Sequence, residues 1–501
     1  MIENPVIRGF NPDPSIIRID DVYYIATSTF EWFPGVNIYS STDLVNWKLH
    51  SRPLNKKALL DLTGVPDGGG VWAPCLSYDG KKAYLVYTVV KERGAMMQTD
   101  NYLIETDDIN GEWSERVYLN SIGFDPSLFH DADGRKYLIS LENHYEKNKR
   151  FNGLYIEEYD SVEKKLVGGR RLLYQSPTGE LVEGSHLYKK DGYYYLLKAQ
   201  GGTGVRHSAQ MARSKQLFGP WEEDESILLH ARDDESLPLQ KAGHADIIDT
   251  PWGIYLVHLA SRSLGGICGR ETCLQKVCWE DGWLRLANGG NKPFVNVEAP
   301  GKRKMVEEEL YDFKKGSLSN DFQCLREDIS DKIFFSEKGL HLKGGSGLNS
   351  HFDQSLAARR IDEENTEIEA LITFDADNDR QLAGIVYIYD TKHWHYLYMT
   401  RSCGEMVAKL LSCDNGSILY YDEKVKIKET ALLSAKVENG NISFYVDGKL
   451  LKDKVDASIL SDEHIHLGFT GAMAGFNCID CEKREKSAII EYFKYKRTAE
   501  A

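Results

Sequence analysis

No stretch of this 501-residue chain approaches the roughly 18 consecutive apolar residues that a membrane span needs. Positive charge is short as well. Against 76 Asp and Glu stand 61 Lys and Arg, a net charge of −15, so the basic patches that bind polyphosphate backbones are not expected. Neither nucleic acid nor a membrane is a predicted partner. A disulfide framework is also missing, because the nine Cys are odd in number and scattered, which predicts reduced thiols and a cytoplasmic location. Cys478 and Cys481 form a lone C-x-x-C; without a second pair or nearby His it reads as incidental thiols rather than a zinc site. Met1-Ile2-Glu3-Asn4-Pro5 has neither a basic start nor an apolar h-region, so no secretory signal is predicted. Gly201-Gly202-Thr203-Gly204 opens no Rossmann-like repeat, and no nucleotide cofactor is implied.

What is there is an ordinary globular balance, 42% hydrophobic and 27% charged, over a length that predicts two or three domains. Eight of nine Trp and 18 of 28 Tyr precede residue 300. Val295-Asn296-Val297-Glu298-Ala299-Pro300-Gly301 reads as a junction. Domains are therefore expected at 1–300 and 301–501.

Long helical patterns are lacking, and short Tyr-, Val-, Ile- and Thr-rich runs end in Asp-Gly-type turns, which predicts an all-β protein. Within residues 1–300 a tyrosine strand recurs at Tyr23, Tyr84, Tyr137, Tyr193 and Tyr255. Steps of roughly 50–60 residues, with several strands per unit, predict a five-bladed β-propeller over a solenoid. Residues 301–501 alternate without that period, as in Glu367-Ile368-Glu369-Ala370-Leu371-Ile372-Thr373-Phe374. They predict a β-sandwich of the jelly-roll, lectin-like kind.

Ten to twelve residues before each repeated tyrosine stand Asp13, Trp72, Asp125, Glu183 and His244. Equivalent positions of a radial repeat share one ring, so three carboxylates, an indole and an imidazole are expected around the channel. A single Asp-Pro-Ser is usually only a turn, but acids at three of five equivalent places point to a functional cluster. Paired carboxylates are what glycosidic cleavage requires, one protonating the leaving oxygen and one activating water or attacking the anomeric carbon. Phe30, Trp32, Trp72 and Phe124 can supply apolar walls for a sugar, although each taken singly is more often core.

The chain resembles glycoside hydrolase family 43, in its β-xylosidase branch. The matching phrases are Gly9-Phe10-Asn11-Pro12-Asp13-Pro14-Ser15, Gly70-Val71-Trp72-Ala73-Pro74, Phe124-Asp125-Pro126-Ser127, Glu183-Gly184-Ser185-His186, Gly201-Gly202-Thr203-Gly204, Gly243-His244-Ala245-Asp246 and Gly269-Arg270-Glu271-Thr272. The resemblance implies Asp13 as general base, Glu183 as general acid and Asp125 as the group that tunes and orients the acid. It also implies substrate contacts from Phe30, Trp72, Phe124, Thr203, His244 and Arg270, and inversion at the anomeric carbon. The expected activity is exo-release of xylose from β-1,4-xylo-oligosaccharides. α-L-Arabinofuranosidase activity, alone or alongside it, is the alternative, and a non-catalytic glycan-binding propeller is the rival of another class. No cofactor is required. His244 either hydrogen-bonds within the acids or contacts a calcium ion through waters, and a homo-oligomer is expected. Two departures from the family pattern are Ser185 in place of Pro, expected to loosen the loop after the acid, and Met473 in place of an aromatic. The resemblance has that second loop close the pocket, so a softer outer wall is expected.

Overall fold

The computed structural model describes residues 1–146, 151–304, 306–466 and 468–498. Among them there is no α-helix, only strands and two short 3-10 turns. The chain forms two units, Met1–Leu60 with Gly69–Leu264 and Arg270–Lys304, and Asp61–Gly68 with Gly265–Gly269 and Met305–Ala501. The second unit thus takes two short segments from the first 300 residues.

The first unit is a five-bladed propeller. Each blade begins with an innermost strand: Ser15–Ile19, Gly70–Tyr78, Ser127–His130, Val182–Lys190 and Leu239–Thr250. A second strand pairs antiparallel to each: Val22–Thr27, Ala83–Glu92, Lys136–Asn143, Tyr193–Gln200 and Gly253–Arg262. The recurrent tyrosines lie on these second strands. Partners on the first two strands run Ser15–Ala26, Cys75–Val86, Ser127–Ile139, His186–Leu197 and Asp246–Val257. By that register the equivalent tyrosines are Tyr24, Tyr84, Tyr137, Tyr195 and Tyr255. The expected Tyr23 and Tyr193 are each displaced, because runs of adjacent tyrosines mask the register.

Closure joins the two ends of the unit. Ile2–Glu3 pairs with Asn296–Val297, and the Asn4 side chain bonds Leu274 N and O. Asn11 N donates to Arg270 O, and Thr272 Oγ1 donates to Asn11 O at 2.7 Å. Asp13 follows two residues after Asn11, so this seam brings it beside Arg270. Around the axis, side chains lace neighbouring blades: Leu76 N donates to Ser15 Oγ, Ile16 N to Asp246 Oδ2 and Tyr188 OH to Asp246 Oδ1. These bonds satisfy buried polar groups that would otherwise be costly.

The second unit is a sandwich of an eight-stranded and a six-stranded antiparallel sheet. Thr366–Thr373 alternates buried and half-buried side chains, as a strand with one face in the core must. Phe313, Phe322, Phe476 and Phe493 pack ring against ring in that core. Met473 opens the strand Met473–Asp480, opposite Arg360 and Ile388, and is fully buried. It is a sheet residue, not a loop residue. Cys478 is buried on the same strand and Cys481 is exposed beyond its end, so the two thiols do not share a site.

Candidate active site

Three of the five innermost strands carry a shared irregularity. In blade two Trp72 faces Thr88 and Cys75 faces Val86, so one residue is extra. The same one-residue slip follows Glu183 in blade four and Gly243 in blade five. Such a bulge re-aims side chains and is common beside active sites. The residue two places before Ser15, Cys75, Ser127, His186 and Asp246 is left-handed in every blade: Asp13 (φ 58), Ala73 (φ 22), Asp125 (φ 54), Gly184 (φ 52) and His244 (φ 47). Asp and His are among the few non-glycine residues that tolerate this region.

This corrects the expected ring. Asp13, Asp125 and His244 are equivalent, but Trp72 and Glu183 come from the preceding position, and Ala73 and Gly184 hold the bulge seats. Counting back from the tyrosines could not show which residue the bulge added. Gly184 is required there: a Cβ at its position would lie 2.6 Å from His244 Cε1. Ser185 accordingly belongs to the bent strand Val182–Lys190 and is buried, not placed on a loosened loop.

Asp13, Asp125 and Glu183 are all buried, at 5%, 6% and 5% exposure. Their surroundings drive them apart. Asp13 Oδ2 accepts from Ser28 Oγ at 2.6 Å, and Oδ1 accepts from Arg270 Nη1 at 3.1 Å. Burial raises its pKa, but Arg270, then His244 and the Ser28 bond, more than reverse that and leave it below the usual carboxylate range. Among the described residues Glu183 has no such donor, and its Oε1 is buried without a hydrogen-bond partner. Burial, and next the Asp13 charge, push its pKa up to about 7, against the opposing pull of Arg270. Asp125 is also raised, by burial and then by the Glu183 and Asp13 charges. Asp125 and Glu183 therefore retain a proton between them. Gly184 N donates to Asp125 Oδ2 at 3.1 Å, which favours the charge on Asp125 and the proton on Glu183.

His244 Nδ1 stands 3.6 Å from Asp13 Oδ1, beyond hydrogen-bond length. Burial lowers its pKa to about 4, so near neutrality it faces Asp13 as a neutral ring. Among the aromatics, Phe30 and Phe124 are buried and flank Trp72, with centroids at 6.2 and 5.3 Å. Trp72 is partly exposed and offers the accessible ring; Phe30 also lies under the Arg270 guanidinium at 6.0 Å. Trp32 is fully buried. Thr203 is half-buried in the turn between Tyr193–Gln200 and Ser208–Ser214.

Three contributors escaped the sequence reading. Ser28 binds Asp13 directly. Asn11 Oδ1 accepts from Thr27 Oγ1, Asn37 Nδ2 and Tyr39 OH and so anchors the turn before Asp13. His207 is wholly buried, its Nδ1 2.5 Å from Gly202 O, and it contributes to the field at Asp13. Asn11 lay inside a quoted motif and could have been found there. His207 immediately precedes a third strand, Ser208–Ser214, where the repeat leaves no signal. Asp13 and Asp125 line a cavity of about 10 Å³ together with, among others, Ser15, Cys75, Ser127, Ser185, His186 and His244.

The model of the glycosyl hydrolases family 43 matches residues 2–284, and that of the β-xylosidase C-terminal concanavalin A-like domain matches residues 310–496. Xylosidase/arabinosidase 43B of Humicola insolens is 41% identical over 99% of this chain and 97% of its own. A β-xylosidase of Bacillus subtilis is 40% identical over 99% of both. The crystal structure of xylan β-1,4-xylosidase from Bacillus halodurans superposes with a TM-score of 0.95 at 40% identity, covering 99% of this chain and all of that one. With matched models over both units and relatives aligned end to end, the chain belongs to family 43 of the glycosyl hydrolases.

Proposed function

We propose that the protein is an exo-acting β-xylosidase that releases xylose from β-1,4-xylo-oligosaccharides with inversion. The observation that carries the chemistry is the split between two buried acids: Asp13 is held as a carboxylate and Glu183 as an acid. In the proposed step Asp13 takes a proton from water, and the water oxygen bonds to the anomeric carbon as the glycosidic C–O bond breaks. Glu183 gives its proton to the departing oxygen. Asp125, bonded to Gly184 N, adds negative charge that keeps the Glu183 proton in place until transfer. Arg270 holds Asp13 and is the residue assigned to sugar hydroxyls, and Trp72 offers a face for the ring.

The relatives named as xylosidases support the sugar, and full-length similarity to a xylosidase/arabinosidase supports a second activity on α-L-arabinofuranosides. The donors lining that cavity suit a water better than a hydrated calcium ion. The space is close to that of one water. Ser127 and Ser185 hydroxyls are the buried atoms there without partners, and calcium takes six to eight oxygens.

The test is a chromatographic time course on xylobiose and xylotriose. Stepwise xylose release from one end is expected. Asp13→Asn and Glu183→Gln, folded as the parent by circular dichroism, should each lose at least about a thousandfold in kcat. Wild-type turnover by both variants would remove the residue assignment, and no cleavage by the parent would favour a binding propeller. Rates on nitrophenyl xyloside and nitrophenyl arabinofuranoside rank the two sugars.

A further inference from the structure

We propose that the sandwich carries a zinc site formed by His393, Asp414 and His464. The three come together at one end of the six-stranded sheet. His393 opens the strand His393–Ser402, and Asp414 closes its neighbour Glu405–Asp414. The ladder between them runs through Trp394–Cys413, so His393 and Asp414 face each other one step beyond it, at cross-strand contact distance. His464 arrives from the turn after Ala457–Leu460, with Nε2 2.8 Å from Asp414 Oδ1. That turn is fixed by Tyr389 OH donating to the buried Asp462 and by His464 N donating to Ser461 O.

One ligand-bearing atom from each of the three residues lies within 4.8 Å of the others. A tetrahedral zinc with bonds near 2.0–2.1 Å needs edges of about 3.3 Å. The longest gap must therefore close by roughly 1.5 Å, within reach of the half-exposed His464 side chain. His393 is buried and already oriented: its Nδ1 lies 2.8 Å from Asp390 Oδ1. A carboxylate on the far nitrogen is the outer partner that metal-binding histidines characteristically have. It leaves Nε2 facing the cluster, now 3.3 Å from Asn415 Oδ1, which the ion would displace. Two imidazoles and one carboxylate select a zinc-like transition cation over calcium or magnesium, which prefer all-oxygen sites. A water would complete the tetrahedron.

The full-length protein, stripped with chelator, is titrated with zinc chloride by calorimetry. The expected result is one zinc per chain with micromolar affinity, unaffected by millimolar calcium. His464→Ala and Asp414→Asn, both at partly exposed positions, should each weaken binding at least tenfold. Asp390→Asn should weaken it roughly 10–100-fold by releasing the orientation of His393. Cobalt(II) in place of zinc should give the visible absorption of a tetrahedral site, lost in His464→Ala. Absence of saturable zinc binding, or an affinity unchanged in His464→Ala, would overturn the proposal. Because the readout is metal binding, it stands or falls independently of the sugar chemistry.

Discussion

At the scale of single residues, the opposed titration of two carboxylates is the central feature. A base that stays ionised and an acid that holds its proton to about pH 7 predict a pH profile of kcat/KM with its alkaline limb near 7. The loss above that limb follows from Glu183 giving up the proton it must donate. Asp125→Asn removes a negative neighbour, so the alkaline limb should move to lower pH while kcat falls; a limb that stays in place would sever Asp125 from the acid. Stability carries the opposite sign. A carboxyl whose folded pKa exceeds its unfolded value costs stability as pH rises from the unfolded pKa to the folded one. Glu183→Gln should therefore melt higher than the parent at pH 8, with the difference vanishing below about pH 4. Equal melting temperatures at pH 8 would show that Glu183 is not held at a cost. Asp13 runs the other way: its pairing with Arg270 and Ser28 stabilises the fold above its unfolded pKa, and that contribution is lost as pH falls through the depressed folded value.

At the scale of the element, the bulge decides which residues reach the axis. Gly184→Ala would force a Cβ to within 2.6 Å of the His244 ring in a left-handed seat. A loss of about 1–3 kcal/mol in stability and a sharp fall in activity are expected, measured by denaturant melts and nitrophenyl xyloside hydrolysis. The identity of the three acids was legible in the sequence because chemistry restricts which residue types recur before the tyrosine strands. Their shared ring was not, since a bulge changes the count by one without leaving a residue type as its mark: Ala73 and Asp125 occupy the same seat. The loop expected around Ser185 failed for the same reason. The strand types themselves were readable from β-branched and aromatic runs between turns; the loop at Met473 is what the resemblance implies, and the long-range pairing with Arg360 and Ile388 that makes it a strand residue leaves no local signal.

At the scale of the molecule, the first 304 residues do not all serve the propeller. Asp67 belongs to the sandwich unit, where Arg326 Nη2 and Thr391 Oγ1 each bond its carboxylate at 2.6 Å. Arg326 is almost wholly buried. Asp67→Ala would leave that cation short of its counter-charge, so a loss of about 3 kcal/mol is expected in the unfolding of the sandwich unit. A change of under 0.5 kcal/mol by urea denaturation would count against that role. The composition shift near residue 300 marks where the chain passes from one unit to the other, but no composition signal marks Asp61–Gly68 or Gly265–Gly269. They are short, and their partners lie hundreds of residues away.

The second of these segments bears on how such a gene can diverge. Ile267 N donates to Glu364 Oε2, Ala472 N donates to Ile267 O, and a Cβ on Gly269 would lie 1.8 Å from Thr470 O. A recombination event at the codon for Lys304 would pair these five residues from one parent with Glu364, Thr470 and Ala472 from another. The two halves of the gene are therefore expected to be inherited together, and chimaeras between relatives to succeed only when residues 61–68 and 265–269 travel with the C-terminal half.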